Sequence, residues 1–278
     1  MDCLNLGCGY RYHPNWTNVN FTATAPSVIT HNLTKGIPFP DNSFDVVYHS
    51  HVLEHFSKHH AKFFMRECCR VLKPKGVLRI VVPDLEQIVR LYLIALEKAS
   101  NGDALWAANY EWILLEMYDQ VVRNQPGGEL RAYFSRQPIP NEQFIIERFG
   151  VEAKNEIERL QKKSFIPKSL FAKQIKPLLK QIYFSANTVK ESCLNFLFGK
   201  YYSALKIGLF RQNGEIHQWM YDRYSLALLL QECNLDQIVQ RTATESYISN
   251  WMNFNLDTEP NGTVYKPDSL YMEAIKKV

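Results

Sequence analysis

Apolar positions in the first third of the chain fall into short runs separated by turn residues, with one longer stretch of helical period. Cys3 to Leu6 leads straight into Gly7, Cys8 and Gly9, the order of a strand feeding a sharp backbone turn. Trp16 to Phe21 and Ser27 to Thr30 are β-prone with Pro or Asn near their ends, and predict the next two strands. Pro40, Asp41 and Asn42 precede the apolar run Phe44 to Tyr48, as a turn feeding a buried strand. From Val52 to Leu72 the residues Val52, Leu53, Phe56, Phe63, Phe64, Cys68, Val71 and Leu72 predict an amphipathic crossover helix, ended by Lys73 to Gly76. Val77 to Val82, interrupted only by Arg79, reads as a strand covered on both faces and closed by Pro83. This alternation implies a parallel sheet with right-handed crossovers.

Beyond residue 84 the pattern changes. Residues 85–208 show helical stretches, Pro-Gly punctuation at Pro126 to Gly128, and no clear strand. Tyr224 to Cys233 is helical in pattern, and Gln237 to Arg241 and Ser269 to Ile275 read as strands. The chain therefore divides into an N-terminal core part (1–84), a helical insertion acting as a lid (85–208) and a C-terminal core part (209–278). Within the insertion Lys162, Lys163, Lys168, Lys173, Lys176 and Lys180 interleave with Phe165, Phe171, Tyr183 and Phe184, either a solvated face or a surface for an anionic partner such as RNA or a membrane.

Composition adds limits. With 278 residues, 46% of them hydrophobic and 22% charged, the chain can bury a full-sized core, and collagen-like, coiled-coil and solvated-tail classes are excluded. A formal net charge of +4 does not demand a nucleic-acid partner. The six cysteines include no CxxC pair, which predicts reduced thiols. No stretch approaches the roughly 20 apolar residues of a membrane span and no leader precedes the first strand, so a cytoplasmic location is expected. No His/Asp/Glu grouping has metal-ligand spacing along the chain, and no metal is expected.

Two glycines just after a strand end let a ligand approach the backbone closely, as a nucleoside-type cofactor requires. The full GxGxxG pattern is lacking, because Tyr10, Arg11 and Tyr12 follow. Three segments, LNLGCG at Leu4 to Gly9, PFPDNSFDVVYHSHVLEH at Pro38 to His55 and RVLKPKGVLRIVVPD at Arg70 to Asp84, together resemble the class I S-adenosylmethionine-dependent methyltransferases with the type 11 methyltransferase domain. YDQVVRNQPGGE at Tyr118 to Glu129 and HQWMYDRYSLALLLQECNL at His217 to Leu235 resemble a family of methyltransferases of this type. The resemblance implies a Rossmann-like α/β fold, a seven-stranded mostly parallel sheet with helices on both faces, and S-adenosylmethionine across the carboxyl ends of the first strands. Leu6, Gly7, Cys8 and Gly9 would then sit at its methionine portion. Asn20 stands where the family carries a ribose-binding acid, and Asn32, before Leu33, where an Asp often contacts adenine. Asn can still accept a hydrogen bond, without the strength of a carboxylate.

Ser50 and His51, after the fourth strand, would lie beside the transferred methyl. HSHVLEH there lacks the Asn/Asp-Pro-Pro-aromatic motif of many amino-group methyltransferases, which favours an oxygen acceptor. A hydroxyl needs a base, and histidine suits that role; His51 and then His217 are the candidates, with an ordinary core or helix-start histidine as the alternative for each. Glu54 reads as a cap for the following helix. Asp84, Gln120, Arg123, Trp219 and Tyr221 are candidate substrate contacts, with helix-start, surface ion-pair and packing roles as their alternatives. The expectation is O-methylation of a small polar, saccharide-like acceptor. A catalytically silent cofactor-binding scaffold, predicted by Asn20 and Asn32, and an RNA- or membrane-directed enzyme are the rival readings.

Overall fold

The computed structural model describes residues 1–165 and 194–278, so much of the lysine-rich stretch, including Lys168, Lys173, Lys176, Lys180, Phe171, Tyr183 and Phe184, lies outside the described residues. Seven strands form one sheet: β1 (Cys3–Leu6), β2 (Thr17–Asn20), β3 (Val28–Thr30), β4 (Phe44–Ser50), β5 (Leu72–Pro83), β6 (Leu235–Arg241) and β7 (Ser269–Lys276). Their order is β3-β2-β1-β4-β5-β7-β6. The first five pair in parallel, whereas β7 runs antiparallel between β5 and β6. The Rossmann-like seven-stranded α/β sheet expected from the sequence is the architecture found. The order reverses direction at β1 and β4, and such a switch point leaves a crevice at the carboxyl ends of the strands.

One predicted element is divided. The helix expected from Val52 to Leu72 is a 3-10 turn at Leu53–His55 followed by α1 (Lys58–Val71). Ser57 breaks the run by capping α1, its hydroxyl accepting from the His60 N–H; the cap frees residues 51–56 to form a loop at the end of β4. Lys73 to Gly76, expected to end that helix, already lie within β5.

Between β5 and β6 stand α2 (Leu85–Ser100), α3 (Ala104–Val122), α4 (Gly128–Phe134), α5 (Glu142–Phe165), α6 (Lys200–Arg211) and α7 (Arg223–Gln231). The apolar faces of α1 and α7 cover one side of the sheet. The other side packs Trp16, Tyr48 and Tyr271 against Trp251 from a 3-10 turn at Trp251–Phe254. Helices α2 to α5 carry a third core around Trp112, Ile113 and Tyr133, which lets this region hold its shape without borrowing the sheet's core. Among the described residues no helix is long and apolar enough to cross a membrane, and the described cysteines are all buried and free.

Arg79, the one polar break in the β5 run, lies at 0% exposure directly opposite Glu273 of β7. Its guanidinium donates to Glu273 Oε1 at 2.8 Å and Asp257 Oδ2 at 2.8 Å, and to the carbonyls of Glu245 and Thr242. The Tyr48 hydroxyl donates to the other Asp257 oxygen at 2.7 Å. One guanidinium thus ties β4, β5, β7 and the 242–257 segment together, and its removal strands two buried carboxylates. Arg79→Met is expected to destabilise the fold by about 3–5 kcal/mol, read from urea denaturation; a loss under about 1 kcal/mol would show that the network does not pin the antiparallel strand.

Candidate active site

The turn after β1 is built from glycines for different reasons. Gly7 has φ +65°, and a Cβ there would lie 2.3 Å from Val52 Cγ2. Gly9 has φ +54° and open space where its side chain would be. Close approach to the 51–56 loop dictates the first, and an open cradle is left by the second. A cavity of about 350 Å³ opens over this turn, lined by Gly7, Cys8, Gly9, Tyr10 and Arg11 and, from the end of β4, by Tyr48, Ser50 and His51. Burial pushes the Cys8 thiol up to about 11, so it lines the cavity as a neutral group.

A second cavity of about 460 Å³ adjoins it, walled by helices α2 to α5 through Ile88, Gln120, Arg123, Leu130, Phe134 and Asn155, with His217 and Met220 from the segment before α7. His51, Glu152, Tyr265 and Lys266 line both cavities, so this group marks where the two spaces meet. Lys266 Nζ pairs with Glu152 at 2.9 Å. Gly150 makes the junction: α5 is kinked there at φ +64°, and a Cβ would meet the Tyr265 carbonyl oxygen at 2.5 Å.

His51 occupies the left-handed region, with φ +52°. Its N–H donates to the Val81 carbonyl at 2.9 Å, and its ring is held between Ser269 Oγ, 2.8 Å from Nε2, and Glu54 Oε1, 3.3 Å from Nδ1. Glu54 is not the helix cap predicted for it, since Ser57 caps α1; its side chain is wholly buried, and apart from the His51 contact on Oε1 its carboxylate has no hydrogen-bond partner among the described residues. The Glu54 carbonyl accepts from the Gln218 and Trp219 N–H groups at 2.7 and 3.2 Å. That contact brings His217 beside His55, ring centroids 4.9 Å apart. Burial lowers the His217 pKa from 6.5 to about 3. A neutral imidazole of that kind is a weak base near neutrality and a ready ligand.

Several predicted site residues play other parts. Leu6 and Leu33 are buried in the main core. Asn20 Oδ1 accepts from the Gly9 N–H at 3.3 Å while its amide donates to the Thr22 carbonyl, so it shapes the glycine turn. Asn32 caps the 3-10 turn at Leu33–Lys35, its Oδ1 accepting from Thr34 N–H and Oγ1. Neither asparagine lines the cavities. Asp84 caps α2, accepting from the Gln87 N–H at 3.2 Å. Tyr221 is packed in the main core. Trp219 is half-exposed, with Lys58 Nζ 4.3 Å from its ring centroid. Gln120 and Arg123 do line the larger cavity.

Arg123 forms a buried rather than a surface ion pair, to Asp119 at 2.6 Å, and reaches Glu215 at 3.2 Å. Asp119 and Glu215 accept from the Glu129 and Gly127 N–H groups, and a Cβ at Gly128 would meet Asp119 Oδ1 at 2.3 Å. The PGG punctuation is thus a braced turn in the cavity wall. Glu152, Tyr265 and Lys266 escape sequence reading because no spacing relates them; they meet only through the kink at Gly150. Spacing along the chain also misses one grouping in space. Ligand atoms of Glu54, His55 and His217 all lie within 4.8 Å of one another, a grouping split by about 160 positions of chain and therefore invisible as a motif.

The strand order and the antiparallel β7 define a Rossmann-like fold, with a ligand-sized hollow over the glycine turn after β1. Residues 4–80 match the family model described as a methyltransferase domain. Solved structures similar to it include the YcgJ protein from Bacillus subtilis (22% identity over 33% of this chain and 52% of that one, TM-score 0.26). The PH0226 protein from Pyrococcus horikoshii is similar at 19% identity over 32% and 52% (TM-score 0.27). An S-adenosylmethionine-dependent methyltransferase from Mesorhizobium loti is similar at 17% identity over 30% and 47% (TM-score 0.24). The match spans about half the length of each of these proteins. No curated protein matches the chain.

Gly7→Ala is expected to lose more than about 1 kcal/mol of stability, since it adds both left-handed strain and a clash with Val52; an unchanged urea midpoint would show that the turn relaxes freely. His49, at 0% exposure with neither ring nitrogen hydrogen-bonded among the described residues, has its pKa lowered by burial from 6.5 to about 4. Between those pH values the unfolded chain binds a proton that the folded chain does not, so stability falls as pH falls through this window. His49→Leu should flatten the pH dependence of unfolding free energy between pH 6.5 and 4 by up to about 1.4 kcal/mol per pH unit. Parallel curves for the two proteins would contradict the assignment.

Proposed function

We propose that the protein transfers a methyl group from S-adenosylmethionine to a hydroxyl of a small polar acceptor held in the larger cavity. The observation that carries this reading is the meeting of the two cavities at His51. A hollow over a glycine turn on one side and a mixed polar and apolar hollow on the other suit a nucleoside cofactor and an acceptor facing each other. Bound on the glycine side, the cofactor would supply an electrophilic methyl. Attack is an in-line displacement, so the protein's share is alignment and exclusion of water, which the helical wall α2–α5 would provide.

His51 is the base in this proposal, with the hydroxyl proton passing to Nε2, the nitrogen it shares with the Ser269 hydroxyl. The imidazolium formed would face the Glu54 carboxylate through Nδ1 at 3.3 Å, which favours its charge. His217, held neutral by burial, is better suited to orienting an acceptor than to removing its proton. A saccharide-like acceptor fits the polar side chains of Gln120 and Asn155 beside the rings of Phe134 and Phe149, whereas Trp219 and Tyr221 lie outside the cavity. The silent-scaffold reading is favoured by the internal engagement of the Asn20 and Asn32 carbonyls.

Calorimetric titration with S-adenosylhomocysteine, followed by a screen of hydroxylated acceptors with radiolabelled methyl donor, tests both readings. Binding with label transfer that falls about a hundredfold or more in His51→Ala is the expected result. Binding without transfer to any acceptor would favour the scaffold, and no heat of binding would remove the cofactor assignment.

A further inference from the structure

From the arrangement of Glu54, His55 and His217 we infer a binding site for a divalent transition-metal ion just beyond the end of β4, beside the larger cavity. Three features of the structure converge on it. One ligand atom from each residue lies within 4.8 Å of the others, a separation that a small inward movement around an ion would close to coordination distance. The Glu54 carboxylate is wholly buried; its Oε1 has the His51 ring 3.3 Å away and its Oε2 has no hydrogen-bond partner among the described residues, and a buried carboxylate so thinly partnered calls for a further counter-charge. His217 is buried, and its ring packs edge-on against that of His55 with centroids 4.9 Å apart, so the two imidazoles are already held side by side.

The site is also oriented from outside. His55 Nδ1 lies 3.1 Å from the Ile216 carbonyl, a contact in which Nδ1 must carry the proton and which leaves Nε2 as the nitrogen free to ligate, as second-layer partners of metal-bound histidines do. The Gln218 amide donates to the His55 carbonyl at 3.0 Å, and the Glu54 carbonyl holds the Gln218 and Trp219 N–H groups. Two imidazoles with one carboxylate suit zinc, manganese, cobalt or iron(II) and suit magnesium or calcium poorly, because those ions prefer an all-oxygen set. Three protein ligands leave a coordination position open. Of the three, His217 lines the larger cavity, which is the side from which an acceptor could reach the ion. An acceptor hydroxyl bound there would lose its proton more readily; this use of the ion rests on the proposed methyl transfer, whereas the site itself does not.

Chelator-treated full-length protein titrated with zinc sulfate, and separately with cobalt(II) read by visible absorption, tests the inference. One equivalent is expected to bind, with a cobalt spectrum of low-symmetry N/O coordination. Glu54→Gln and His217→Gln should each weaken binding by at least about tenfold to a hundredfold, while His59→Ala/His60→Ala, which removes an exposed histidine pair, should leave it unchanged. If a core variant does not fold, His55→Gln at the half-buried position serves in its place. No stoichiometric binding, or binding lost with His59 and His60 and kept in the three ligand variants, overturns the site. S-adenosylhomocysteine titrated on the same preparations separates the two ideas: cofactor binding without metal removes only this site, and metal binding without cofactor removes only the methyl-transfer reading.

Discussion

Everything that makes this molecule more than a layered sheet depends on how the chain leaves β4. At that point the backbone turns through a left-handed residue, His51, whose N–H is taken by the neighbouring strand at Val81, and three residues later the Glu54 carbonyl receives two N–H groups from Gln218 and Trp219. Main-chain hydrogen bonds of this kind cannot be exchanged between side chains. They dock the segment that precedes α7 onto the crevice, and with it the wall of helices that the intervening sequence builds. The crevice is open on the glycine side and roofed on the other because of that one clamp.

The sheet was readable from sequence to a large degree. Short apolar runs bounded by Gly, Pro and Asn identify strands well when both faces are covered, and every strand expected here exists within a few residues of its predicted limits. The failures share a physical origin. Val52 to Leu72 has helical period throughout, but period cannot reveal that Ser57 caps a later helix and sets its six predecessors free. Arg79 looked like a blemish in a buried strand; it is the charge around which Asp257 and Glu273 are buried.

For the site, the residues on the strand ends were legible because topology places them there whatever the loops do: Gly7, Cys8, Gly9, Ser50 and His51 all line the smaller cavity. Beyond β5 the outcome is mixed: Gln120, Arg123 and His217 line the larger cavity, whereas Asp84, Trp219 and Tyr221 do not. Trp219 and Tyr221 sit two positions apart in an aromatic-rich stretch, yet one is half-exposed and the other is core; a regular strand would put them on one face, so no simple periodicity reveals their different surroundings. Glu54 read as a helix cap, although its side chain faces the core. Glu152 and Lys266 carry no local signature, and their pairing follows from a kink and a loop more than a hundred positions apart.

The bend at Gly150 has a mechanical implication. Because α5 rests its backbone against the carbonyl of Tyr265, the helix and the lead-in to β7 behave as a single panel, and that panel borders both hollows. No substitution on this side could reshape the larger hollow without altering the smaller one. The opposite wall, in α3 and α4, is where the Pro-Gly-Gly turn can be re-cut independently, and under the proposed function diversity of acceptor would accumulate there.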